Sequence, residues 1–195
     1  MPPSGRLGSP TSKTGIAILE AAEQIMIEDG YSAVTSRSVA ARAGIHAGNV
    51  HYYFPTMDDL FIALLDRGAD KSTERMAAAL ASPKPLLALW HLASNRGGLA
   101  LLDELMAAAR HRPKVRERVS ELAETARRMR IDALRTLTPH YGLDESLFPP
   151  ELLATIVQGT GLLVVREEAL GFETDHETAA KAMEALIEHL EARRT

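Results

Sequence analysis

The chain has 195 residues, 46% of them hydrophobic and 5% aromatic, with a formal net charge of −4. That length supports one large or two small domains with a sizeable core, and the charge is not that of a protein held on nucleic acid by bulk positive potential. Zero cysteines exclude disulfides and thiolate metal sites. No apolar run approaches the roughly 18 residues of a membrane span, so no membrane partner is expected.

Residues 1–12 read MPPSGRLGSPTS, without the apolar centre of a secretory signal. A disordered tail is expected there, and the cytoplasm is the expected compartment. A first helix is predicted over 12–29, with Ile18, Leu19, Ala22, Ile25 and Met26 on one face and Gly30 closing it. The stretch 35–55, TSRSVAARAGIHAGNVHYYFP, reads as two short helices joined by a tight turn. Thr35 is a good N-cap for the first, since its hydroxyl can accept an orphan amide hydrogen. Val39, Ala40 and Ala43 give that helix an apolar side, and Gly44 supplies the positive φ a helix end often needs. Ile45 plugs the corner, and a second helix is predicted over about 46–53, before Pro55. Its outward residues, Asn49, His51, Tyr52 and Tyr53, carry hydrogen-bonding groups on short or rigid stems. That combination suits reading base edges and gripping phosphates in a major groove.

Thr56 is expected to cap a fourth helix, with Asp59 as its capping partner and Leu60, Phe61, Leu64 and Leu65 inward, running to about Leu80. The Ser-Pro-Lys-Pro of 82–85 breaks the pattern and begins a short apolar helix. Residues 95–98 are predicted as a turn, followed by a helix with Leu101, Leu102, Leu105 and Met106 inward. Pro113 opens a long helix to about Leu137, with Val115, Val119, Leu122, Ala126, Met129, Ala133 and Leu137 inward. A loop is predicted over 138–150. The helix predicted over 150–170 is apolar nearly all round, and the last, over 175–192, has Ala179, Ala182, Met183, Leu186, Ile187 and Leu190 on one face.

The 35–55 stretch and its flanks resemble the helix-turn-helix of the TetR family of bacterial transcriptional regulators. The likeness rests on Gly30-Tyr31, Thr35-Ser36, Val39-Ala40, Ala43-Gly44-Ile45, Val50-His51-Tyr52-Tyr53-Phe54 and Leu60, at the family's spacings. It implies an all-α fold of about nine helices, with a three-helix DNA-binding domain over 13–57 and an effector-binding and dimerisation domain over 58–195. It also implies a DNA-contacting set of Thr35, Arg37, His46, Gly48, Asn49, His51, Tyr52 and Tyr53. Within that set Asn49 faces bases, Gly48 permits close approach, and His51 and Tyr53 hold phosphates. Three residues depart from the family pattern. His46 stands where a serine cap is usual, His51 and Tyr53 exchange the usual tyrosine and histidine, and Met57 replaces a phosphate-holding lysine.

Up to Leu60, Arg6, Lys13, Arg37 and Arg42 face a larger set of acids: Glu20, Glu23, Glu28, Asp29, Asp58 and Asp59. Counterion release must therefore depend on placement, with Lys13, Arg37 and Arg42 expected on the DNA side. The last two helices are expected to form a two-fold homodimer interface through Leu153, Ile156, Val157, Gly161, Val164, Met183, Leu186, Ile187 and Leu190. Gly159 and Gly161 would let a second helix pack close. The resemblance implies a largely apolar pocket for an unidentified small-molecule effector. Phe61, Trp90, Leu102, Met106 and Met129 are its candidates, with plain core filling as the competing account.

The arginines between Arg110 and Arg130 read mainly as a solvated face, and secondarily as a landing surface for an acidic effector. No G-x-S-x-G, phosphate loop, H-E-x-x-H or cysteine nucleophile occurs, so no catalytic residue, metal, cofactor or enzyme activity is expected. The expected function is a repressor that holds palindromic operator DNA as a homodimer and is released by an effector. The rival is a helical small-molecule carrier or interaction module that has lost DNA binding, which the acidic head and Met57 favour.

Overall fold

The computed structural model describes residues 8–171 and 176–194. Among these, nine α-helices follow one another: α1 (Lys13–Asp29), α2 (Ser36–Ala43), α3 (Ala47–Tyr53), α4 (Met57–Leu80), α5 (Pro85–Ala93), α6 (Arg96–Ala109), α7 (Pro113–Leu137), α8 (Pro150–Ala169) and α9 (His176–Glu191). The described residues include no strand and no helix long and apolar enough to cross a membrane. The helix starts obey the local chemistry of their caps. Ser12 Oγ accepts the Gly15 amide hydrogen at 3.1 Å to open α1. Thr56 Oγ1 accepts from the Asp59 amide at 3.1 Å while Asp59 Oδ2 accepts from the Thr56 amide at 2.9 Å, a capping box for α4.

Contacts divide the chain into two compact units. The first takes the described residues of Met1–Ala69 and Ala100–Glu121, the second those of Asp70–Leu99 and Leu122–Thr195. A division into 13–57 and 58–195 follows chain order, whereas the contacts cut inside α4, α6 and α7. Each of those helices is continuous in sequence but exchanges neighbours along its length.

The first unit's core joins Ile18, Ala22 and Met26 of α1 to Val39, Val50, Leu60 and Phe61, with Leu105, Ala108 and Val115 from the later segment, all at most 2% exposed. Fully burying an aliphatic or aromatic side chain is worth about 1.5–3 kcal/mol, so this cluster is what fixes the short α2 and α3. The α6 contribution differs from expectation. Leu105, Ala108 and Ala109 are buried, while Leu102 and Met106, predicted inward, are 43% and 47% exposed. The two alanines let α6 approach on their side, and the larger residues lie past the edge of that face.

The second unit's core gathers Met76, Leu86, Leu89, Trp90, Leu134, Leu137, Tyr141, Ala154 and Ile187. Of the residues expected at a dimer interface, Gly161, Val164 and Ile187 are buried within the chain itself. Leu153, Val157, Met183 and Leu190 are partly buried and pack against this same core. Gly161 does permit close helix packing, but the neighbour is α5. A Cβ at position 161 would sit 2.7 Å from the Ala93 carbonyl oxygen. Gly161→Ala should therefore destabilise the chain by about 1–3 kcal/mol in a denaturant melt, and an unchanged melt would contradict the α5–α8 contact.

Three further expectations are corrected. Residues 96–98, predicted within a turn, form the first turn of α6; the amphipathic run after them carries the helix through its glycines. The predicted loop over 138–150 begins with a short 3-10 turn, Thr138–Tyr141, which buries Thr138 and Tyr141. In residues 8–12, expected in a disordered tail, Gly8 donates its N–H to the Tyr52 carbonyl at 3.1 Å and Ser12 donates its own to the Ser9 carbonyl at 3.0 Å. Residues 1–7 of that tail, and the expected start of the last helix at Asp175, lie outside the described residues.

Candidate nucleic-acid interface

The site is built by the α2–α3 corner. Thr35 and Ser38 cap α2 reciprocally, Thr35 Oγ1 accepting the Ser38 amide hydrogen at 3.1 Å and Ser38 Oγ accepting that of Thr35 at 2.9 Å. Gly44 adopts the left-handed conformation at φ 66°, its amide bonded to Ala41 O and that of Ile45 to Ala40 O at 3.0 Å. This paired closure satisfies the last carbonyls of α2 and fixes the direction in which the chain leaves it. His46 then acts as the cap that a serine usually provides. Its Nδ1 accepts the Gly48 amide hydrogen at 3.2 Å, which requires a neutral ring with that nitrogen unprotonated.

Below the corner, Val39 and Val50 are fully buried, with Ala40 and Phe54 nearly so. Above it, Arg37, His46, Gly48, Asn49, His51 and Tyr52 are exposed, and Tyr53 is half-buried. Thr35 is exposed too, but its hydroxyl is already engaged in the cap. The predicted contact residues thus divide between the start of α2, at Thr35 and Arg37, and α3 with its cap His46, whose opposite side is anchored by Val50. His51 Nδ1 lies 3.3 Å from the Pro55 carbonyl, and because a carbonyl only accepts, that nitrogen carries the hydrogen. The outward Nε2 then donates to a phosphate only when the ring is protonated.

Tyr52 and Tyr53 meet edge to face with centroids 5.2 Å apart. The backbone at Gly8 lies against both rings, a contact that the low-complexity composition of the tail gave no reason to expect.

The head's charge is also arranged differently from the linear count. Glu28 pairs with Arg42 at 2.6 Å, Glu20 with Arg67 at 3.1 Å, Asp58 with Arg112 at 2.5 Å and Asp66 with Arg118 at 2.7 Å. Arg42, expected on the DNA side, is thereby occupied by an acid of α1. Of the acids that made the first sixty residues look unfavourable, Glu20 and Asp58 are offset by arginines from later in the chain. Arg112 also stacks over Phe61, 4.8 Å from the ring centroid. Exposed Arg37 and Lys13 have no ion-pair or hydrogen-bond partner among the described residues and remain available as cations.

Phe61, Leu102 and Met106 belong to the first unit, and Trp90 and Met129 to the second. Phe61 and Trp90 are buried and Met129 is half-buried.

The family model described as bacterial regulatory proteins, TetR family, matches residues 18–64, which contain the whole α2–α3 corner. Residues 18–64 thus carry a TetR-family helix-turn-helix. It is similar to the HTH-type transcriptional repressor BepR of Brucella suis, at 28% identity over 188 residues, covering 93% of this chain and 80% of that one. An uncharacterized HTH-type transcriptional regulator of Mycobacterium bovis is 28% identical over 161 residues, covering 77% of this chain and 82% of its own. A structure from Saccharomonospora viridis, solved in complex with choline, superposes with a TM-score of 0.70 at 21% identity, covering 89% of this chain and 95% of that one. That last likeness is one of fold. The family model and both of these relatives are of bacterial transcriptional regulators that bind DNA through a helix-turn-helix.

Proposed function

We propose that this chain is a cytoplasmic TetR-family repressor that binds palindromic operator DNA as a homodimer and is released by a small-molecule effector. The observation that carries the reading is the exposed row Arg37, His46, Gly48, Asn49, His51 and Tyr52 on a corner capped at both ends and pinned by buried Val39 and Val50. A recognition helix needs this division, with base-reading groups outward on a support that does not yield. Dimerisation is supported by an apolar strip left uncovered on the last two helices, where Leu152, Ile156, Leu163 and Leu186 are 42%, 37%, 55% and 55% exposed. Ile156 and Leu186 of that strip are among the interface residues expected from sequence. Repression and effector release are supported by a relative named as a repressor and by a structural neighbour holding choline.

The test is a binding titration on a duplex selected from a random library. Asn49→Ala should weaken binding by roughly 5- to 150-fold, the range for loss of one base-edge contact. Tyr53→Phe should weaken it by several-fold, through loss of a hydroxyl donor to phosphate. Both variants should melt like the parent. Unchanged affinity in both removes the contact assignment.

A further inference from the structure

The second half of α7 carries four arginines, and they are not equivalent. Arg128 pairs with Glu124, and Arg135 pairs with Asp132 at 2.6 Å and with Glu151 at 3.0 Å. Arg127 and Arg130 have no hydrogen bond or ion pair to any described residue. Both line a groove of about 220 Å³ whose other wall is Ala154, Thr155, Gln158 and Gly159 of α8.

Arg130 is half-buried, and its guanidinium is held below the ordinary arginine range, first by burial and then by the charge of Arg127 beside it. A half-buried cation facing a like charge and lacking a counter-ion is costly, and an arriving anion relieves both terms at once. On the α8 wall, the Thr155 hydroxyl donates to the Glu151 carbonyl at 2.8 Å. Gln158 brings the neutral amide donor, and at Gly159, which shares its face of α8 with Ile156 and Leu163 of the uncovered strip, a Cβ would meet nothing within 4 Å in the single chain. Among the described residues, no acidic side chain lines the groove.

We infer that this α7–α8 groove binds a small organic molecule by its oxyanion, a carboxylate or phosphate, held by Arg127 and Arg130 with its apolar remainder against Ala154 and Gly159. The planar guanidinium fork matches the two oxygens of such a group and is the usual means of holding it. The groove is smaller than the roughly 300–1,000 Å³ of a drug-sized pocket, so the anionic end enters and the rest of the molecule extends outward. The groove's role as the effector's entry point rests on the regulator reading; its role as an anion site does not.

The experiment is isothermal titration of the full chain, without DNA, with benzoate, with inorganic phosphate and with benzyl alcohol as the neutral comparison. Saturable binding of benzoate or phosphate but not of benzyl alcohol is expected, and whichever anion binds identifies the headgroup. Arg130→Gln should weaken that binding roughly ten- to hundredfold, as expected for loss of a charge-assisted pair. Arg127→Gln, at an exposed position where folding is not at stake, should weaken it in the same direction. No saturation by either anion, or binding by both variants equal to that of the parent, overturns the inference. Affinity for the selected duplex is measured separately, with and without the bound anion. A chain that binds DNA but neither anion loses this inference alone, and one that binds an anion but no DNA loses the regulator reading alone.

Discussion

The Val50→Asp substitution is expected to unfold the helix-turn-helix and abolish DNA binding, with a stability loss above about 4 kcal/mol. Val50 has no exposed surface, and the other fully buried side chains of the head, such as Ile18, Met26, Val39 and Leu60, are apolar. A carboxylate there has no cation within the core to pair with. It must either protonate or open the site, and both outcomes consume much of the about 5–15 kcal/mol that a domain of this size commands. Asn49, the preceding residue, points to solvent, so Asn49→Ala should leave the melt unchanged while weakening DNA binding. Thermal melts and duplex titrations of the two variants therefore separate support from contact. If Val50→Asp melted like the parent, α3 would not be held as described.

The Glu191→Ala substitution should cost the second unit about 2–4 kcal/mol. Glu191 Oε1 accepts the Leu86 amide hydrogen at 2.7 Å and that of Leu87 at 3.3 Å, while Oε2 accepts the Tyr141 hydroxyl at 2.9 Å. The start of α5 has no side-chain cap of its own, so this carboxylate, arriving from the end of α9, serves as one. Tyr141 is held protonated by the same arrangement. Burial first, then the bond to Glu191 and its charge, push its pKa up to about 12 from an ordinary 10.0. A raised folded-state pKa means that this stabilisation is fully present below pH 10 and is lost as pH rises toward 12. The parent should lose stability more steeply across that window than Tyr141→Phe, and equal slopes in alkaline melts would contradict the buried phenol.

Where the sequence was informative, the signals were local. Thr35, Gly44 and Thr56 act through groups within a few residues, so caps and turns could be read from spacing alone. The same holds for Ile18, Ala22 and Met26, whose helical periodicity survives folding unchanged. The features that escaped depend on neighbours remote in the chain. Glu104 Oε2 accepts the Tyr31 amide hydrogen at 2.7 Å, and Asp58 and Asp66 find arginines on or just before α7. Nothing in a linear count of charges announces such pairings. Gly161 was legible as a point of close approach, but its partner was not, because α5 and a second copy of α8 make the same demand on a glycine. The apolar run of α6 predicts Leu102 and Met106 inward, whereas Leu105, Ala108 and Ala109 form its buried side. At the interface, the exposure of Asn49 and Tyr52 followed from the pattern, while the seat of Gly8 on the tyrosine rings required the folded arm.

The most direct measurement is selection of bound duplexes from a random-sequence library by the full chain, followed by sequencing of the enriched pool. Two copies each presenting α3 to a major groove predict a two-fold-symmetric site, with half-site centres separated by about one helical turn or a multiple of it. Enrichment of an asymmetric motif, or no enrichment at low salt, would contradict the proposal that α3 reads DNA in a symmetric pair.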